Sequence, residues 1–341
     1  MIEMAGIVPT VGTWTKKTSA PVAIAEVGVG QVDGKIYIVG GTEQRGQNPP
    51  VAASTLNMMY DPATDSWQER APLPYALSHA GVTGLGGKLY AIGGLTGNIH
   101  IGPQNRALVY DPKTDRWTDL PPFSSPRGSL GVAAFGGKIH IFGGRSSEKV
   151  VRTSLPDAPE MLSGIGTVTT HEIYDPAKEK WSLGKPLPGP PRDHMGIAVL
   201  EGKIHVFGGR INDFSNLLAR HDVYDPKADA WTSAAPLPRP RSAGAFTVLN
   251  GLIIYAGGEC KPGGQPFTPN AFEDVSAYDP KTDTWVTLTP LPQARHAFGA
   301  ATVAGVAYFA GGALVCGGGA STDLIALTIS VGAVEVEHHQ T

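Results

Sequence analysis

Short runs of β-branched and aromatic residues, each closed by a double glycine, recur along the chain: KIYIVGG (35–41), KLYAIGG (88–94), KIHIFGG (138–144), KIHVFGG (203–209), LIIYAGG (252–258) and VAYFAGG (306–312). A polar phrase ending in tryptophan follows five of them: YDPATDSW (60–67), YDPKTDRW (110–117), YDPAKEKW (174–181), YDPKADAW (224–231) and YDPKTDTW (278–285). A period of some tens of residues marks a repeat architecture and overrides the two or three domains that 341 residues suggest. The apolar runs are too short for helices and are bounded by turn residues, so they predict strands.

Each unit predicts four strands. The first runs through segments such as GSLGVAAF (128–135), the second ends in the double glycine, the third ends in Tyr-Asp and the fourth begins at the tryptophan. Between the first two lie two-residue turns, Asp33-Gly34, Gly86-Gly87, Gly136-Gly137, Glu201-Gly202 and Asn250-Gly251, where glycine supplies the positive φ of a tight hairpin. Between the last two, Asp opens a turn and Pro presets φ. Four-stranded antiparallel units repeated radially make a β-propeller, and six units make six blades. The recurrent Trp and Tyr rings are expected to pack between neighbouring blades.

The ends have to cooperate for the ring to close. The last unit has a third strand near 323–330 but no tryptophan after it, whereas Trp14 carries a fourth strand's signature with no unit before it. The N-terminal segment therefore completes the last blade.

These six copies, with PLPxxR segments between units, resemble the kelch repeat from about Trp14 to Ser330. The resemblance implies an all-β, six-bladed kelch β-propeller of four-stranded antiparallel blades, one domain over residues 1–335 with a polar tail at 336–341. Kelch propellers include substrate adaptors, scaffolds, sialic-acid mutarotases, specifier proteins and copper-radical galactose oxidases, so the fold does not select a function. The oxidase's residue spacing is not evident here, and six blades argue against it. No attached adaptor-type domain supports ubiquitin-ligase recruitment.

Composition narrows the partners. The net charge is −3 and no polybasic run is present, which argues against nucleic acid and against a membrane surface. The N-terminus lacks a signal-peptide pattern, and the cytoplasm is the expected compartment. Cys260 and Cys316 are too few for a disulfide framework; they follow double glycines in blades five and six, where the rim leaves room for them to approach each other, and free thiols are expected in the cytoplasm. No zinc-type cluster is visible, and no metal or other cofactor is expected. His338 and His339 belong to the tail.

The meander places the loops after the double glycines and the loops before each first strand on one rim. From the second glycine to the YDP tyrosine there are 16 positions in blade two and 15 in blade four but 30 in blade three, so long loops gather on that rim, where ligands bind. Residues just after each double glycine, Thr42, Leu95, Arg145, Arg210, Glu259 and Ala313, should face this mouth. So should those after the PLPxxR position: Ala25 and Glu26, Ser78 and His79, Gly128 and Ser129, Asp193 and His194, Ser242 and Ala243, His296 and Ala297. Arg145 and Arg210 suit a carboxylate or phosphate. Glu26, Asp193 or Glu259 with His79, His194 or His296 suit general acid–base work, and Ser129 and Ser242 add hydroxyls. By contrast, Arg127, Arg192, Arg241 and Arg295 recur with the repeat and are expected to tie loops to neighbouring blades. His140 and His205, which share the register of Tyr37, Tyr90 and Tyr308, are expected to be packed rings.

Two functions fit. One is a kelch-repeat binding module whose polar mouth takes a small anionic ligand, a peptide or a protein. The alternative is a sugar-acid mutarotase or epimerase resembling the sialic-acid mutarotases. Deleting the first twenty residues is expected to lower the stability of the whole domain, read as a shifted cooperative melt. An unchanged melt would show that the ring closes without them.

Overall fold

The computed structural model describes residues 8–43, 52–97, 100–147 and 165–332. The tail at 336–341 lies outside them. The described residues form six four-stranded antiparallel sheets and two small three-stranded ones, with no helix long and apolar enough to cross a membrane. In blades one to five the strands follow chain order, as in Gly28–Val32, Lys35–Val39, Asn57–Asp61 and Ser66–Glu69 of the first. Blade six takes Gly299–Val303, Val306–Ala310 and Leu324–Gly332 from one end of the chain and Val8–Lys16 from the other. Trp14 lies opposite Leu327 in that pairing.

First strands surround the axis, each packed on those of two neighbours, and the strand of blade six packs on that of blade one. The seam has an apolar core like every other interface: Ile36, Ile38 and Tyr60 of blade one bury against Ala301, Tyr308 and Ala326 of blade six. One expected strand is shorter than its sequence pattern. The run 128–135 breaks so that only Gly131–Phe135 joins the blade, because Ser129 adopts a φ of 54° and turns the chain out of the sheet.

The tryptophans do more than pack. Every indole Nε1 donates to a carbonyl in the preceding blade's territory: Trp67 to Thr18, Trp117 to Ala71, Trp181 to Pro121, Trp231 to Lys185, Trp285 to Ala235 and Trp14 to Thr289, at 2.7 to 3.2 Å. In four blades the YDP tyrosine donates to the aspartate of the turn, as Tyr60 does to Asp65 at 2.6 Å and Tyr224 to Asp229 at 2.6 Å. That same carboxylate accepts an amide across the interface, Thr18 for Asp65 and Lys185 for Asp229. The phrase YDPxTDxW thus encodes a strand pair and a staple to the preceding blade.

The PLPxxR arginines are structural. Each is buried, with its guanidinium inside the blade it leads into: Arg192 pairs with Asp222 at 2.6 Å, Arg295 with Asp323 at 2.8 Å, Arg127 with Glu172, and Arg241 donates to the Ser276 hydroxyl at 2.7 Å. Their carbonyls meanwhile accept the second-glycine amide of the preceding blade, as Arg192 does from Gly144 at 3.0 Å. At the first glycine, Gly143, φ is +54° and a Cβ would lie 2.6 Å from the Arg192 carbonyl oxygen, so no side chain fits.

His140 and His205 are packed rings. Each is buried and meets a second buried imidazole from the third strand of its own blade, His171 at 3.1 Å and His221 at 3.0 Å. His171 also stacks on Phe142 with centroids 4.2 Å apart and meets Tyr224 of the next blade edge-on. Burial pushes His140, His171 and His221 down to about 4 and His205 to about 3, from an ordinary 6.5. Because the unfolded chain binds these protons first, their contribution to stability is complete above pH 6.5 and is lost as the pH falls toward 4. Melting temperature is therefore expected to drop across that window, and the His140→Tyr/His205→Tyr variant, which restores the ring used in other blades, is expected to drop less. Parallel pH profiles for the two proteins would contradict this account.

Candidate functional site

Two short segments of each blade meet at the mouth. The residue after the double glycine pairs with the residue after the PLPxxR position: Thr42 with Ala25, Leu95 with Ser78, Arg145 with Gly128, Arg210 with Asp193 and Ala313 with His296. In blade five the Glu259 amide donates to the Ser242 carbonyl at 3.0 Å. The next residue in every blade, Glu26, His79, Ser129, His194, Ala243 or Ala297, has a φ between 49° and 56°. That left-handed turn aims its amide at the equivalent carbonyl of the preceding blade. The bonds run Glu26 to Ala297 (2.7 Å), His79 to Glu26 (3.1 Å), Ser129 to His79 (3.0 Å), His194 to Ser129 (3.2 Å), Ala243 to His194 (3.0 Å) and Ala297 to Ala243 (2.8 Å). They form a closed circle around the axis. Six non-glycine residues hold this costly conformation because the circle satisfies their backbone groups.

The circle gathers the polar side chains. Glu26 Oε2 lies 3.1 Å from His79 Nε2 and 4.0 Å from His194 Nε2. His194 Nδ1 is 2.5 Å from Asp193 Oδ1, the oxygen to which Arg210 Nε donates at 3.0 Å. Arg210 also pairs with Glu259, whose other oxygen is 4.0 Å from His296 Nε2, and Arg145 Nε sits 3.4 Å from Asp193 Oδ2. Arg145, Arg210, Asp193 and His296 are at most 1% exposed. Within the circle and beneath it, a cavity of about 150 Å³ is lined by Glu26, His79, Ser129 and His194 and by apolar side chains such as Val29, Val82 and Phe246.

Charge follows from these contacts. Burial would raise the Glu26 carboxyl, but His79, His194 and His296 around it outweigh that and hold it well below the usual carboxylate range. Asp193 is likewise held low against burial, by Arg145, His194 and Arg210. Burial, with Arg210 nearby, pushes His194 and His296 down to about 4. At neutral pH the Glu26 and Asp193 carboxyls are therefore ionised and the His194 and His296 imidazoles neutral.

Of the residues that sequence placed at the mouth, Glu26, His79, Asp193, His194, Arg210, Glu259, His296 and Arg145 come together. Ser129 joins the circle itself, whereas Ser242 is buried behind it, its hydroxyl without a hydrogen-bond partner. The two arginines do not stand open to an anion; their guanidiniums face Asp193 and Glu259. Most of the long blade-three insert, 148–164, lies outside the described residues. Its returning arm is anchored where Asn212 Oδ1 accepts from the Thr167 amide at 3.0 Å.

His100, in the loop after the blade-two double glycine, was missed. Its ring lies 4.9 Å from that of His79 and 5.6 Å from that of His194, centroid to centroid. Nothing in its register marks it, since it stands six residues past the glycine pair; the only available signal was a histidine in a mouth-side loop.

The cysteines require a correction. Cys260 and Cys316 are not free thiols but a disulfide, both buried, with Cα atoms 4.9 Å apart. They follow double glycines in adjacent blades, so the same loop geometry that builds the mouth makes them neighbours. By the chain-entropy relation, closing the 56-residue separation stabilises the fold by about 4 kcal/mol. Thiol titration of the denatured protein is expected to find no thiol before reduction and two after; two thiols without reductant would contradict the bond.

Blade count, closure and this axial cluster define a kelch-type β-propeller. The Kelch motif family model matches residues 76–124, 191–238 and 240–292, so the chain carries kelch repeats. It is 30% identical over 310 residues to Kelch-like protein terF of Aspergillus terreus, covering 90% of this chain and 53% of that protein, so it spans about half the relative's length. Over 83 residues it is 35% identical to Beta-scruin of Limulus polyphemus, covering 24% of this chain and 8% of that protein. Among solved structures, that of YjhT superposes with a TM-score of 0.70 over 93% of this chain and 99% of that one, at 17% identity, a likeness of fold.

Proposed function

We propose that the axial mouth binds a small polar or anionic molecule, in preference to docking a protein surface. The observation that carries this reading is the convergence of Arg145, Arg210, Asp193, Glu259, Glu26, His79, His194 and His296 on one axis, many within hydrogen-bond reach of one another. Small-molecule sites are concave and hold a few convergent polar groups, whereas protein-docking mouths centre on aromatic anchors. Among the described residues the large apolar side chains exposed on mouth-side loops are Ile101 and Phe267. They belong to blades two and five, on opposite sides of a six-membered ring, and make no continuous patch. The disulfide further supports an oxidising compartment over the cytoplasm expected from sequence.

A second reading is acid–base catalysis on a sugar acid, of the mutarotase kind. It is favoured by carboxylate–imidazole contacts at two points of the mouth, Glu26 with His79 at 3.1 Å and Glu259 with His296 at 4.0 Å, beside the arginines.

A thermal-shift screen against uronic and sialic acids, neutral sugars and nucleotides tests both. A rise in melting temperature with one class is expected, by mass-action stabilisation of the folded state. The Arg145→Lys variant, which keeps the charge and loses the guanidinium that faces Asp193 behind the mouth, should give most of that rise back. Absence of any shift would sink the small-ligand reading. Unaccelerated anomer exchange by NMR with a ligand that does bind would sink the catalytic one.

A further inference from the structure

Three imidazoles stand together where the mouth meets the axis. His79 and His100 come from blade two and His194 from blade four, and one nitrogen of each lies within 4.8 Å of the others. All three residues are largely buried, His79 and His100 at 6% and 5% exposure.

Their outer nitrogens are already engaged in two of the three. His194 Nδ1 is held by the Asp193 carboxylate at 2.5 Å, and His79 Nδ1 meets the Ser78 hydroxyl at 3.0 Å. This leaves both Nε2 atoms directed at the same Glu26 oxygen, 3.1 and 4.0 Å away. A carboxylate behind an imidazole whose other nitrogen faces a shared point is the arrangement by which proteins orient metal-binding histidines. His100 adds an independent sign: both its ring nitrogens are buried without a hydrogen-bond partner. Buried polar nitrogens of this kind are costly unless something binds them.

We propose that His79, His100 and His194, with Glu26 as a fourth ligand, bind one divalent first-row transition-metal ion on the propeller axis. Imidazole-rich sites with one carboxylate suit zinc, iron, nickel or copper, and exclude magnesium and calcium as preferred ions. With metal–nitrogen bonds of about 2.0–2.1 Å, tetrahedral ligand atoms lie about 3.3 Å apart, so nitrogens now within 4.8 Å of one another need to close by up to about 1.5 Å. Arg210, 3.5 Å from His194 Nε2, and Arg145, whose charge acts on His100, are the cations near this point; Arg210 is turned toward Asp193 and Glu259, and Arg145 toward Asp193. The inference does not depend on the identity of any organic ligand. It does compete with the acid–base reading, since coordination takes Glu26 and His79 out of proton exchange.

The test uses the full chain, stripped with a chelator and dialysed, then titrated calorimetrically with zinc chloride and followed with cobalt(II) by its visible absorption. One ion per chain is expected, with cobalt bands typical of nitrogen and oxygen ligands in low coordination. His100→Ala and Glu26→Gln should each weaken binding at least tenfold, and Asp193→Asn by 10- to 100-fold through His194. Changing His338 and His339 to Ala should leave it unchanged. Because Asp193 is also paired with both arginines, the decisive variants are Glu26→Gln and His100→Ala, each checked for folding by its metal-free melt. The proposal is overturned by absence of saturable binding, by binding that survives both of those variants, or by binding lost with the two tail histidines.

Discussion

Glu26, His79, Ser129 and His194 are placed at the mouth by one circle of six peptide hydrogen bonds. Each blade contributes a residue bent into the left-handed region, and its amide reaches the matching carbonyl of the blade before it. A circle of this kind has no ends, so no blade can rotate or withdraw without breaking two of its bonds. The side chains on these residues therefore stand at fixed spacing around the axis, and chemistry at the mouth can be changed by substitution without moving the frame. In this chain the six places read Glu, His, Ser, His, Ala and Ala, so four circle positions carry polar side chains and the two in blades five and six carry methyl groups.

Outside that circle, two further rings repeat the device at greater radius. Arginine carbonyls and guanidiniums join four of the six crossovers to both blades they connect, and indole amines join each outer strand to the blade before. A single propeller sheet buries too little apolar surface to stand alone, and polar staples at three radii supply directional contacts that apolar packing lacks. Repeats of the same words along the chain are the trace of these staples.

This is why much of the fold was legible in sequence. Gly143 answers to a carbonyl that leaves no room for a Cβ, Trp181 to a carbonyl in need of a donor and Arg192 to a buried Asp222; the first two causes recur once per blade and the third, a buried arginine with a polar partner, in four blades. The mouth residues were found by position, since they occupy fixed places in the same frame. What those residues do to one another was not legible. Arg210 meets Glu259 from the next blade, His100 arrives from a loop of irregular length, and Cys260 reaches Cys316 across a blade boundary. Such contacts depend on how loops of unequal length fold over the axis, and a repeat pattern says nothing about the places where the repeats differ.

The mixed composition of the sixth blade has a consequence for how the chain reaches its native state. Trp14 is made long before its partner Leu327, so through that interval the strand that carries it is a bare edge awaiting a mate. Blades one to five can form from local hairpins, but the circle at the axis stays open until that final pairing. Contacts between residues so distant in sequence form slowly. The nascent protein thus passes through an arc-shaped stage with two sticky rims, and a second arc is as good a mate for either rim as its own. Joining to itself before meeting a neighbour is a race in which dilution favours the monomeric ring.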